Sequence, residues 1–512
     1  MTALVDEPDP IASTQGDGLG TRVVSSARWI MLLRLGSMAS LWISAIALAH
    51  LLRPSQYGLA GMAMVLVSFL TVFQESGLHA ALVQKQERVQ QAVDAASVYA
   101  PLIGLALGIG CFAAAPLAGL FFGRHEVTSL VRGLSIVFVL RGISQVPIAL
   151  VQKELRFRPF VIVSLIGYVL QTAVAITLAT LGAGAWSAIG GLITLEASYA
   201  ALMWVICPIR PHPRNAQRAA LKELLSYGRN LVGVNISLLI VSYVDVATVG
   251  RFLGPAKLGA YTIGYQTGKQ PVTLVTGISN QLVFPAYAKL QHDLVRFKRA
   301  YIRSLRFITI VSVPLGLGLA SVGGIFVRLV YGEKWHAAAP VLSIMALMGL
   351  VLSITATMGE VLKATNRPGF FFRVSLLEAV LVVILVLSLY RFGIAYVAAG
   401  VAVSMTVVGL IVSRKIGQIL DIRPREWAAS LVPPFAAGAV MVGAMVATEV
   451  ALDPHSQSGR AVALVVLAIE GTAVYAAGLW LIARTRLQEF FRELDSLAPV
   501  SRLHRRLVAG RV

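Results

Sequence analysis

Apolar runs of roughly 18 to 25 residues, each long enough to cross a hydrocarbon core as a helix, recur along almost the whole chain and are separated by short polar links. The pattern predicts about fourteen spans, near 28–50, 57–80, 95–121, 127–150, 159–181, 184–206, 229–251, 257–287, 304–327, 337–361, 370–390, 393–413, 429–449 and 461–483. The expected fold class is therefore all-α, a polytopic membrane protein.

The chain writes one hairpin twice. LLRPSQYGLAGMAM from Leu51 is answered by FLGPAKLGAYTIGY from Phe252, which aligns Pro54 with Pro255, Gly58 with Gly259, Arg28 with Arg229 and Arg34 with Asn235. Six spans return a chain to its starting side, so the copies share one topology and relate by an axis along the membrane normal. The expected domains are a polar N-terminal tail (1–27), a first lobe (28–206), a linker (207–228), a second lobe (229–415), two additional helices (416–484) and a basic tail (485–512).

Composition agrees with lipid as the solvent. Hydrophobic residues make up 57% and charged residues 13%, against about a quarter charged in soluble domains, and the mean hydropathy is +0.77. The net charge of +20 does not point to nucleic acid, because Lys and Arg are scattered through the links. With a cytoplasmic N-terminus, about 32 of the 44 basic residues fall on the inner side, as the positive-inside rule requires. Both termini and the linker are therefore expected in the cytoplasm. Residues 1–27 begin with Asp6, Glu7 and Asp9 and lack a signal-peptide pattern, so the first span is expected to be retained. The charged link KLQHDLVRFKRAYIRSLR and the tail segment LQEFFRELDSL carry apolar residues at helical spacing, as a helix on the inner surface or a solvated helix would. Cys111 and Cys207 read as small hydrophobes, without the spacing of a disulfide framework or metal site.

Four motifs, RPSQYGLAGMAMVLVSFLTVFQESGLHAALVQ from Arg53, VDVATVGRFLGPAKLGAYTIGY from Val244, YGEKWHAAAPVL from Tyr331 and LKATNRPG from Leu362, occur in order. Together they resemble the Wzx-type polysaccharide flippases, in particular the WzxC-like branch of the multidrug/oligosaccharidyl-lipid/polysaccharide exporter superfamily, over nearly all of Arg28 to Trp427. The resemblance implies two six-helix lobes around a cavity. It also implies export of undecaprenyl-pyrophosphate-linked oligosaccharide across the bacterial inner membrane for exopolysaccharide, capsule or lipopolysaccharide synthesis. Implied partners are the lipid-linked oligosaccharide, inner-membrane lipids, a polysaccharide polymerase and assembly glycosyltransferases; no nucleic acid and no cofactor is expected. The chain departs from the family at Ser55-Gln56, where an acidic residue is usual, and in Val-Ala-Thr after Asp245, both turn or packing positions.

An ionisable group inside a span costs about 2.5–3.5 kcal/mol on insertion scales and generally faces a cavity or a partner. The cations are Arg34, Arg132, Arg141 and Lys269. Lining a cavity, they would bind a pyrophosphate; otherwise each is neutralised locally, Arg34 by Glu75 for example, or snorkels to headgroups. The acidic set is Glu75, Glu196, Asp245, Glu360, Glu378 and Glu470. Ion coupling needs a buried carboxylate, and the candidates are Asp245, which the resemblance aligns with the family's acidic position, Glu378 and Glu75; an ion pair or interhelical contact is the alternative for each. Internal prolines such as Pro101, Pro147 and Pro314 serve as hinges or packing bends. The stretches GLALGIG from Gly104 and GLGLA from Gly316 read as close helix packing.

No phosphate-binding loop with Walker spacing occurs, so direct drive by ATP is not expected. The longest outer turn, around 451–460, leaves no room for a catalytic domain, which argues against a membrane polymerase or ligase. Export of small amphiphiles or of a lipid-linked peptidoglycan precursor stays open beside the polysaccharide reading.

Overall fold

The computed structural model describes residues 15–75, 82, 89–154, 157–207, 211, 212, 214, 217, 239–290, 293–365, 368–454 and 456–497. Among them the secondary structure is helical throughout, without strands. Eleven of the described helices are long and apolar enough to span a membrane. The expected spans at 57–80 and 229–251 are described only in part, and the one at 257–287 lies on a helix described from end to end. Most of the 207–228 linker, and the outer parts of both tails, lie outside the described residues.

The chain forms two compact units, one of Met1–Leu239 with Gly254–Ala256, the other of Ile240–Leu253 with Lys257–Val512. In the first, the helices are α1 (Gln15–Leu51), α2 (Pro54–Glu75), α3 (Val89–Phe122), α4 (His125–Leu134), α5 (Ile136–Lys153), α6 (Phe157–Thr180) and α7 (Trp186–Ile206). The apolar run expected as one span at 127–150 is divided at Ser135, whose N–H bonds to the carbonyls of both Val131 and Arg132. Helix α6 packs on α1 and α7, and α5 on α3 and α7.

The α3–α5 contact is built from small residues. A Cβ at Gly142 would sit 2.6 Å from the Ala100 carbonyl oxygen and 3.0 Å from the Pro101 Cα, and one at Gly104 would meet the Phe138 carbonyl. Backbones this close are what small residues permit where lipid supplies no hydrophobic drive between helices, and they bear out the packing reading of GLALGIG. Ala96, Ala100, Ala149, Leu150 and Cys207 complete this core. Cys111 and Cys207 are both buried.

In the second unit, α8 (239–248) passes into a π-helical turn at Val249–Leu253, followed by α9 (Pro255–Leu290), α10 (Leu294–Ser321), α11 (Gly323–Val330), α12 (Ala338–Ala364), α13 (Pro368–Leu389), α14 (Ile394–Leu420), α15 (Pro424–Leu452) and α16 (Gln457–Leu497). The charged link after Lys289 is neither a surface helix nor a solvated one: it forms the first turns of α10, and its apolar stripe, Phe297, Tyr301 and Leu305, is buried against Tyr287, Met358 and Trp427. Lys298 is pinned there, 2.8 Å from the Glu426 carboxylate and 2.5 Å from the Asp421 carbonyl.

The two helices beyond the repeat pack into the same unit. Ala437, Met441 and Met445 of α15 and Leu467, Tyr475 and Leu479 of α16 share a core with Ile310, Val313 and Leu350, and the Tyr475 hydroxyl donates to the Ile310 carbonyl at 2.9 Å. Large apolar side chains such as Ile109, Leu120, Val205, Leu410 and Leu481 are exposed, as helix faces turned to hydrocarbon are.

Candidate functional site

Two polar clusters interrupt the apolar packing, one in each unit. In the second unit, three residues of α9 recur at every fourth position, Tyr261, Tyr265 and Lys269, and so share one face. The neighbouring face carries Gly264 and Gly268, which lie flush on the α12 backbone: a Cβ at Gly264 would be 2.6 Å from the Ala338 carbonyl and 3.0 Å from the Leu342 nitrogen. A bond between Thr267 and the Tyr331 hydroxyl (2.8 Å) holds the same stretch. The rotation of α9 is thereby fixed, and with it the direction of its polar face.

That face meets Asp245 on α8. Asp245 is 1% exposed. Its Oδ2 accepts from the Tyr261 hydroxyl at 2.6 Å and its Oδ1 from the Val246 N–H at 2.7 Å. The π-turn begins four residues further on; such turns are frequent at functional sites because they re-aim a helix locally. The Lys269 ammonium lies over the Tyr265 ring, 5.4 Å from its centroid, and interacts electrostatically with both Asp245 and Glu378 of α13. The structure thus unites three of the residues singled out in the sequence, Asp245, Lys269 and Glu378. Tyr261 and Tyr265 were missed, although their four-residue spacing from Lys269 was there to be read.

In the first unit Arg141 of α5 donates through Nε to Glu196 Oε1 of α7 at 2.8 Å and through Nη1 to the Thr71 hydroxyl of α2 at 3.2 Å. Gln74 Nε2 donates to the Phe138 carbonyl at 2.7 Å and Gln145 Nε2 to the Gln74 carbonyl at 3.0 Å, tying α2 to α5 beside the pair. Arg141 has therefore the local partner that was one of its two expected fates. Nothing in the sequence joined it to Glu196, 55 positions away. Arg132 is exposed over Phe112, 5.1 Å from the ring centroid. Arg34 on α1 is half-buried and makes no ion pair among the described residues. Glu75 closes α2, and its side chain lies outside the described residues.

The two units, their apolar helices and these buried charges define a multi-pass helical membrane protein of the transporter class. Its fold is shared with the structure "Lipid II flippase MurJ, inward closed conformation", at a TM-score of 0.73 and 14% identity over 91% of this chain and 100% of that one. Residues 47–340 match the family model described as "Polysaccharide biosynthesis protein", and the chain belongs to that family. Among its relatives are the "Succinoglycan biosynthesis transport protein ExoT" of Rhizobium meliloti (strain 1021), 27% identical over 70% of this chain and 72% of the relative, and the "Lipopolysaccharide biosynthesis protein WzxC" of Escherichia coli (strain K12), 24% identical over 65% and 68%. The resemblance read from the four ordered motifs is met.

Proposed function

We propose that this protein is a flippase that carries undecaprenyl-pyrophosphate-linked oligosaccharide units across the bacterial inner membrane, for exopolysaccharide, capsule or lipopolysaccharide synthesis. The observation that carries the reading is the match of residues 47–340 to the polysaccharide biosynthesis family in a chain with a lipid flippase's fold. The names of the relatives, one a transport protein and one a lipopolysaccharide biosynthesis protein, support it. In this reading the chain moves its substrate without changing it, both termini face the cytoplasm, and a polymerase and assembly glycosyltransferases work on either side of the step. The six-plus-six lobes at 28–206 and 229–415, with two added helices at 416–484, are part of the same proposal.

The cluster of Asp245, Tyr261, Lys269 and Glu378 is the proposed coupling centre, since two carboxylates and one ammonium in low dielectric change net charge when a proton or cation enters. Arg34 and Arg141 are the proposed contacts of the anionic headgroup, with Lys269 a further one; Arg132, at the periphery, is the weakest of the four. The test is genetic: cells lacking this gene should lose surface polymer and accumulate the lipid-linked repeat unit unpolymerised. Undiminished polymer without accumulation would remove the function.

A further inference from the structure

The stretch YGEKW from Tyr331 forms the corner between α11 and α12, and both α9 and α16 reach it. Tyr331 closes α11, and its buried hydroxyl lies 2.8 Å from the equally buried hydroxyl of Thr267 on α9. Successive residues of a helix turn by about 100°, so Thr267 stands on the back of α9, about 160° round the axis from Lys269. This bond at the back and the two glycines packed at the side, Gly264 and Gly268, together fix the direction in which Tyr261, Tyr265 and Lys269 point.

The same corner is tied to the added helices. Past Gly332, which takes the left-handed region at φ 92°, Glu333 accepts from the Arg460 guanidinium of α16 at 2.5 Å. Arg460 is itself held: its side chain is 16% exposed, and its Nε donates to the Pro454 carbonyl at 3.4 Å. The turn that carries it is capped by the Ser456 hydroxyl, which accepts from the Gly459 N–H at 3.0 Å. A second connection is apolar. The Tyr331 ring meets that of Phe326 edge-on, 6.4 Å between centroids, and Phe326 packs on the core shared by Met445 of α15 and Leu467 of α16.

We propose that α15 and α16 brace this corner against α9, which makes Arg460, Glu333, Tyr331 and Thr267 positioning residues for the cluster of Asp245, Lys269 and Glu378. The proposal rests on the reading of that cluster as the coupling centre and gives the two added helices a part in it. A functional constellation works only while its groups are held to within about 0.5 Å of their working geometry. Lys269 follows the rotation of α9, and the corner sets that rotation. An ion pair open to solvent adds little to stability, and Glu333 is 62% exposed. Breaking the pair should therefore leave the fold standing and show itself in coupling.

The experiment uses the full chain, purified into liposomes with undecaprenyl-pyrophosphate-linked oligosaccharide. Two rates are measured on each preparation: equilibration between leaflets without a gradient, and accumulation in one leaflet driven by a proton gradient or, separately, by a sodium gradient. The readout is the ratio of driven to undriven rate. A substitution that only lowers the amount of folded protein scales both rates alike and leaves the ratio unchanged. Tyr331→Phe and Thr267→Val should each lower the ratio about threefold, the average worth of a bond between membrane helices. The double variant should lower it no further, because both changes remove one bond. Arg460→Met and Glu333→Gln should each lower it by up to about fivefold, again without adding. Thr267→Ser keeps the hydroxyl and Arg460→Lys keeps the charge, and each should restore most of the ratio. Thr448→Val removes a bond to Glu470 between α15 and α16 outside the corner and should match wild type.

Asp245→Asn in the same assay separates the two ideas. If it lowers the ratio while the corner variants do not, or if the paired losses add, the coupling centre stands and the brace is overturned. Loss in Thr267→Ser as deep as in Thr267→Val would also overturn it, since the hydroxyl would then not be what acts. If Asp245→Asn keeps the wild-type ratio, the coupling centre itself falls, and with it any action of the corner through that centre. A wild type that neither gradient drives has the same consequence.

Discussion

Replacing Tyr261 by Phe removes one hydroxyl and little else. The carboxylate of Asp245, 1% exposed, loses the donor 2.6 Å from Oδ2 and keeps the Val246 N–H 2.7 Å from Oδ1. A hydrogen bond to a charged group contributes about 1.5–3 kcal/mol in soluble proteins, and bonds between membrane helices average about 0.6 and reach about 1.7 kcal/mol. A short bond to a buried carboxylate belongs at the upper end, so Tyr261→Phe should destabilise the protein by about 1–2 kcal/mol. With Asp245→Asn the acceptor becomes neutral and the hydroxyl is worth about 0.5–1 kcal/mol. A double-mutant cycle on the two positions, read by unfolding in a defined lipid–detergent mixture, should return a coupling of about 0.5–1 kcal/mol. Independent effects, with coupling indistinguishable from zero, would mean that the hydroxyl does not support the charge on Asp245, and the coupling centre would lose its buried anchor.

Asp245→Asn itself should abolish gradient-driven transport in proteoliposomes while leaving headgroup binding largely intact; normal gradient-driven transport would remove Asp245 from the mechanism. Gly142→Ala drives a Cβ to 2.6 Å from a backbone oxygen and should cost about 1–3 kcal/mol by overpacking, whereas Gly110→Ala, with nothing within 4 Å, should melt like wild type; equal melting of both variants would contradict the α3–α5 contact. Met441→Ala, in the core that joins α15 and α16 to α10, should cost about 2–5 kcal/mol, and a neutral result would mean that the added helices are not part of that core. A reporter active only outside the inner membrane should be silent after Cys207 and active after Ala451, and the reverse pattern would invert the proposed topology.

Hydropathy made the all-helical membrane fold legible, because a run of apolar side chains long enough to span lipid needs no knowledge of its neighbours. Tertiary detail was less accessible. The stripe of Phe297, Tyr301 and Leu305 has one spacing whether it meets headgroups or a protein core, and only packing against Tyr287 and Trp427 decided the matter. The break at Ser135 falls inside a run long enough to read as one span, although Arg132, Gly133 and Ser135 cluster there. Within the site, the cost of burying charge picked out Asp245, Lys269 and Glu378 singly, and the fold brought them together. Arg141 was picked out by the same cost, but its partner Glu196 comes from another helix, through a contact that no local spacing encodes.

The central claim is that this chain moves a lipid-linked oligosaccharide between leaflets without altering it. Purified protein in liposomes that carry undecaprenyl-pyrophosphate-linked oligosaccharide in both leaflets tests it directly, with an impermeant sugar-modifying reagent outside and mass spectrometry of the lipid. The account predicts that, with the protein present, the protected inner pool becomes accessible with time while the unreacted lipid keeps its mass. An inner pool that stays protected, or a lipid whose mass changes before the reagent is added, would contradict it.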